Sequence, residues 1–226
     1  MTVDLVEHLQ HAFGAAADPG LAAPMRAYMR ERFEFLGIQS VARRQLTVGV
    51  LREAARPTAE PDVLAVARAC WALPEREYQY FACDYLIRHV RLLSPAAVPV
   101  LRELITTKSW WDTVDALASS VVGPLVTAFP PLVSTMDAWT EPGTDLWLVR
   151  TAILHQLKYR TRTDADRLFD YCERWQTEPD FFIRKGIGWA LREYAKTDPA
   201  RVRSFVDTHP GLSALSAREA LKHLTR

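Results

Sequence analysis

Four stretches of this chain, Pro74 to Leu86, Ser109 to Ala118, Asp145 to Leu157 and Asp180 to Arg192, share one layout: a turn-like link, then aromatics, then small or aliphatic residues. A 35-residue step sets them in register and brings Asp115, Arg150 and Lys185 to one repeat position. Apolar residues elsewhere recur at helical spacing, as in Val63, Val66, Ala67, Cys70 and Trp71 or Leu146, Ile153, Leu154 and Leu157, and nothing alternates long enough to make a convincing strand. Pro24, Pro57, Pro61, Pro74, Pro95, Pro142, Pro179 and Pro199 punctuate the chain, often beside Asp or Ser, as residues that open helices. The pattern predicts an all-α protein of about a dozen helices.

A repeat of this length suits helix pairs of the HEAT type, stacked into a curved solenoid with one helix of each pair on the concave side. Equivalent positions would then line one groove. The alternative is an irregular helical bundle whose similar segments coincide by chance.

With 49% hydrophobic and 24% charged residues, the 226-residue chain has the balance of a globular protein, expected as a single domain over 1–226. Disorder, collagen and coiled-coil rods are excluded. The uncharged run from Ala116 to Met136 is broken by Gly123, Pro124, Pro130 and Pro131, so it reads as buried helix, turn and buried helix instead of a membrane span. Asp4 and Glu7 stand where a secretory signal would carry basic residues, which points to a cytoplasmic protein with no membrane partner. Cys70, Cys83 and Cys172 are far apart and read as reduced structural thiols. His8, His11, His89, His155, His209 and His223 show no ligand spacing, so neither a metal nor a cofactor is expected.

The net charge of +1 hides a segregation: residues 1–149 hold 13 Lys and Arg against 17 Asp and Glu, whereas residues 150–226 hold 15 against 10. A basic region on a near-neutral protein can be the footprint of phosphate binding, or simple solvation of helix faces. The densest chemical cluster is Thr107 to Asp115. Ser109 is a plausible N-cap there; Trp111 and Asp115, four apart, share a helix face, and Trp110 points into the core beside Val114.

Lys-Ser-Trp-Trp-Asp-Thr-Val-Asp at 108–115, Leu-Trp-Leu-Val-Arg-Thr-Ala-Ile-Leu at 146–154, the segment from Phe181 to Lys196, and Tyr28 through Gln39 resemble the signature segments of the AlkD family of alkylpurine DNA glycosylases. The resemblance covers essentially the whole chain, in the same order. It implies a HEAT-like superhelix that holds duplex DNA in its concave face. The implied reaction is hydrolysis of the N-glycosidic bond of cationic alkylated purines, such as 3-methyladenine, 7-methylguanine or bulky N3 and N7 adducts, without base flipping, which other base-excising enzymes use. It assigns the central carboxylate to Asp115, flanking tryptophans to Trp111 and Trp189, the catalytic-site arginine to Arg150, and lesion-proximal positions to Tyr28 and Gln39.

These residue types suit that chemistry. A cationic purine is already a good leaving group, so what needs stabilising is the positive charge passing onto the sugar. Asp115 as an anion can offset that charge and orient water. Tryptophan faces can lie against a cationic lesion, and Arg150 can grip a phosphate and keep Asp115 ionised. For backbone phosphates the candidates are Arg43, Arg44, Lys158, Arg160, Lys185, Arg192 and Lys196. Read without the resemblance, Asp115 and Arg150 could be a structural ion pair, and Trp189 a core side chain beside Gly186 and Gly188, glycines that suggest close approach of another backbone. Two other functions remain open at this level: a non-catalytic HEAT-like protein that binds damaged or branched DNA, and a peptide-binding scaffold. The protein is expected to act as a monomer.

Overall fold

The computed structural model describes residues 2–224, which form fourteen α-helices joined by short links and 3-10 turns. No strand occurs among the described residues; Glu34 and Glu75 form an isolated parallel bridge. Contacts divide the chain into two compact units, Met1–Val100 and Leu101–Arg226.

Unit 1 contains α1 (Thr2–Ala15), α2 (Pro19–Tyr28), α3 (Ser40–Glu53), α4 (Glu60–Ala72) and α5 (Arg76–Arg88), followed by a 3-10 turn at Val90–Leu92. Helix α4 packs against α5 and α1, which also meets α3. Leu9, Phe13, Val63, Ala67, Cys70, Phe81 and Leu86 fill its core, and the Phe13 ring stacks on Tyr78 at 5.7 Å. Asp18 opens α2 by accepting the N–H groups of Gly20 and Leu21 at 2.8 and 3.2 Å. Pro24 stands inside that helix instead of opening one, whereas Pro61 and Pro199 do sit in first turns.

The link from α2 to α3 is held by a buried carboxylate. Glu77, fully enclosed, accepts three consecutive backbone N–H groups, from Leu36, Gly37 and Ile38, at 3.1, 2.9 and 3.0 Å. Gly37 is required there: its φ is +89°, and a Cβ would lie 2.0 Å from the Asp18 carbonyl oxygen. Beside it, the buried Arg76 guanidinium sits 3.8 Å from the centre of the Phe33 ring. Glu77→Leu strands three backbone donors, two of them buried, and should lower the unfolding free energy by about 3 kcal/mol or more in urea denaturation.

The sequence repeat is visible directly in helix starts. Helices α5, α7 (Trp111–Leu117), α10 (Leu146–Leu154) and α12 (Phe181–Tyr194) begin at 76, 111, 146 and 181, 35 residues apart. Within unit 2, which begins inside α6 (Val98–Thr106), two rows of helices result. One row is α7, α10, α12 and α14 (Ala214–Leu221), each packed on the next. The other is α9 (Val133–Ala138), α11 (Ala165–Arg174) and α13 (Pro199–Thr208), tied together by polar and aromatic rungs. Tyr171 donates to Asp137 at 2.6 Å, the Trp175 indole to the Thr140 carbonyl at 2.8 Å, and Arg201 to Asp166 at 2.5 Å, while Phe169 stacks on Phe205 at 4.7 Å. This is the helical-repeat architecture expected from the 35-residue step.

The Ala116 to Met136 run is helix, turn and helix, with one addition. Helix α7 passes through a π-helical turn at Ala118–Val122 into α8 (Gly123–Ala128), and a 3-10 turn at Pro130–Leu132 precedes α9. The extra residue in the π turn lets Gly123 approach the next helix: its Cβ would lie 2.2 Å from the His155 carbonyl oxygen, and its own carbonyl accepts from Tyr159 at 2.7 Å. The N-cap expected of Ser109 is not formed. Its hydroxyl donates backwards to the Ile105 carbonyl at 2.7 Å, and Trp110 takes the N-cap position of α7 without a side-chain bond. Ser109 thus serves the end of the preceding helix, which leaves carbonyls as much in need of partners as the next helix's N–H groups.

Of the two glycines in α12, Gly188 does meet a backbone. A Cβ there would stand 2.9 Å from the Ser216 carbonyl oxygen and 2.6 Å from the Glu219 Cβ. Gly188→Ala should therefore push α14 away and cost roughly 1–3 kcal/mol of stability, measured by thermal or urea unfolding.

Candidate active site

Neighbouring helices of the first row bring Asp115, Arg150 and the start of α12 together. Arg150 Nε donates to Asp115 Oδ1 at 2.7 Å and Nη2 to Oδ2 at 2.8 Å, a two-point pairing of flat groups. The third nitrogen, Nη1, donates to the Phe182 carbonyl, so the guanidinium clamps α7 to α12 as well. Gly186 makes the space: a Cβ at that position would come within 3.1 Å of Nη1. The close approach at Gly186 is thus to an arginine side chain, unlike that at Gly188.

The pair is nearly dry, with 5% of the Arg150 side chain and 14% of Asp115 exposed. Burial pushes the Asp115 carboxyl above its ordinary value, and Asp112 adds to this; the bonds from Arg150 pull it down but do not cancel the effect. The expectation that Arg150 keeps Asp115 ionised is therefore met only as a partial counterweight to desolvation.

Arg150, but not Asp115, lines a cleft of about 260 Å³ together with Trp111, Phe181, Phe182, Lys185, Trp189, Arg192 and Glu219. Trp111 and Trp189, both half-buried, thus face one space with Arg150, and Phe181, 49% exposed, forms part of its rim. Trp110 is in the core, as expected, edge-on to Phe182 at 4.7 Å.

Lys185 and Arg192 reach the cleft but do not project freely. Both bond to Glu219, at 3.0 and 2.5 Å, and the Lys185 ammonium foremost holds the Glu219 carboxyl below its ordinary value. Sequence reasoning missed Glu219. The available signal was its place 34 residues beyond Lys185, one residue short of a full repeat step.

The other sequence candidates are dispersed. Lys158 is exposed and bonds to Ser120 Oγ at 2.6 Å. Arg160 and Lys196 share a different groove, of about 480 Å³, at the ends of α10 and α12, where Lys196 pairs with Glu193 at 2.7 Å. In unit 1, Tyr28 ends α2 with 72% of its surface exposed, and Gln39 is an exposed N-cap of α3. Arg43 is drawn onto Asp84 at 2.7 Å and over the Tyr80 ring, whereas Arg44 beside it is exposed. Cys70, Cys83 and Cys172 are free and buried, and burial pushes the Cys70 thiol up to about 12. Among the described residues no group of His, Cys, Asp and Glu could hold a metal ion, and no helix is long and apolar enough to cross a membrane.

Arg150→Met would leave Asp115 buried without its counter-charge. Urea denaturation at pH 7.5 should show a loss of about 3–5 kcal/mol, which shrinks as the pH is lowered because a protonated Asp115 tolerates burial.

The chain was compared with known proteins. No curated protein matches it. A solved structure described as a predicted DNA alkylation repair enzyme from Enterococcus faecalis is 33% identical, covers 93% of this chain and 97% of its own, and superposes with a TM-score of 0.84. The model of the DNA alkylation repair enzyme family matches residues 9–224, a span that takes in both rows of helices, the Asp115–Arg150 pair and the aromatic cleft. The chain therefore belongs to the family of DNA alkylation repair enzymes.

Proposed function

We propose that the protein is a DNA glycosylase that hydrolyses the N-glycosidic bond of cationic alkylated purines, 3-methyladenine and 7-methylguanine among them, in duplex DNA. The observation that carries this reading is the Asp115 carboxylate doubly bonded to Arg150, whose side chain lines a cleft walled by Trp111 and Trp189. A purine alkylated at N3 or N7 leaves as a neutral base, so no general acid is needed. As the bond breaks, positive charge collects on the deoxyribose, and a dry, fixed carboxylate stabilises such a charge far more than one in water does.

Each neighbour has a task in this scheme. Arg150 spends three of its N–H bonds on Asp115 and Phe182, so its chief role is to fix the carboxylate, with the two remaining N–H groups available to a phosphate. Trp111 and Trp189 offer electron-rich faces to the sugar and the cationic lesion, at about 0.5–2 kcal/mol per contact. Lys185 and Arg192 can turn from Glu219 to a phosphate.

The test is release of free 3-methyladenine and 7-methylguanine from methylated duplex by wild type and Asp115→Asn. The reading expects release by wild type and a rate at least about 100-fold lower for the variant, with duplex binding retained. Binding without release by wild type, on small and bulky alkylpurines alike, would instead support a non-catalytic DNA-binding protein.

A further inference from the structure

Unit 1 carries a second cationic feature that shares no residue with the aromatic cleft. The end of α3, the link after it, the end of α5 and the 3-10 turn that follows enclose a cleft of about 690 Å³, into which Arg52, Arg56, Arg88 and Arg91 all face. No carboxylate lines it. All four arginines are exposed, and none has an ion pair among the described residues. Others in the same unit do: Arg26 meets Glu31 and Glu34, and Arg43 meets Asp84.

Helix dipoles account for part of this. Arg52 and Arg88 are in the last turns of α3 and α5, where cations are favourable. Arg56 and Arg91 lie beyond those helix ends and only add like charge to the same cleft. His89, in the same wall, is held below its ordinary value by burial first and then by Arg88 and Arg56, so it stays neutral and the guanidiniums supply the field. Four like charges gathered in one cleft make a positive potential that favours an anion there.

The repeat register supplies an independent observation. Arg88 is two 35-residue steps before Lys158, and the 3-10 turn at Val90–Leu92 is two steps before the one at Arg160–Arg162. The same corner of the repeat, a helix end followed by a 3-10 turn, is thus basic in each unit. The rim of the unit 1 cleft also contains exposed Val48 and Leu92. Apolar surface beside guanidiniums suits the sugars and phosphates of a nucleic-acid strand better than a free, fully hydrated inorganic phosphate.

We propose that the Arg52–Arg56–Arg88–Arg91 cleft binds backbone phosphates of the duplex DNA substrate, as an affinity and positioning site distinct from the aromatic cleft. The proposal rests on the reading that the protein acts on duplex DNA. It does not depend on base release.

The experiment is fluorescence anisotropy of a labelled, unmodified duplex titrated with the full chain over a range of NaCl concentrations. Wild type is compared with two fourfold variants, in which Arg52, Arg56, Arg88 and Arg91 are all Ala or all Lys, both checked by circular dichroism. Each phosphate contact contributes about 0.9 to the slope of log affinity against log salt. The proposal expects the Ala variant to lose roughly 2–4 of that slope and at least about tenfold in affinity near 0.1 M salt. The Lys variant should keep most of both, since lysine neutralises phosphate equally.

A wild-type slope in the Ala variant overturns the proposal. So does equal loss in the Lys variant, which would mark the arginines as structural. Base release measured on the same wild-type preparation separates the two readings: duplex binding that depends on the arginine cleft without release refutes the glycosylase and leaves this site standing.

Discussion

The bidentate bond between Asp115 and Arg150 is the interaction on which the candidate chemistry depends. It ties α7 to α10, and through the Phe182 carbonyl it also fixes the start of α12. An ion pair this dry gains little net stability over an apolar contact, because desolvating both charges costs nearly what their attraction returns. The residual effect of burial leaves Asp115 with a carboxyl easier to protonate than usual, poised to gain when a positive charge develops nearby.

The helical repeat makes such a site possible with little machinery. Side chains 35 residues apart stand on neighbouring helices, so one position per repeat suffices to assemble a row. Along that position the chain places Asp115, Arg150 and Lys185, and the row continues to Glu219. Two bases stand between two acids along it. Gly186 and Gly188 are the concession that close packing demands, one for the Arg150 side chain and one for the backbone of α14. The π turn after α7 plays a similar part, seating Gly123 against the His155 carbonyl.

Much of this was legible in the sequence. The 35-residue step is a property of residue order and it reappears, without slippage, in the starts of α5, α7, α10 and α12. The grouping of Trp111 and Trp189 with Arg150 was implied by the family resemblance; the register itself aligns only Asp115, Arg150 and Lys185. What escaped notice depends on competition between partners. Ser109 looks like an N-cap, but the carbonyl behind it was the nearer acceptor. Lys185 and Arg192 look like phosphate ligands, but Glu219 engages both. Glu77, in a helix that reads as ordinary core, binds three backbone N–H groups 39 to 41 residues away, a contact no local pattern encodes. The arginine cleft was hidden for another reason: its members are spread over residues 52–91, a segment that holds as many acidic as basic residues.

The central claim is that the Asp115 anion stabilises the departing sugar cation, and the most direct measurement is the pH dependence of base release in a single turnover. Wild type should lose rate as the pH falls through a group titrating above the ordinary carboxylate range, because burial raises Asp115 and only its ionised form assists. Asp115→Asn should be slow and lack that acid limb. An acid limb of the same position and depth in both proteins would contradict the account.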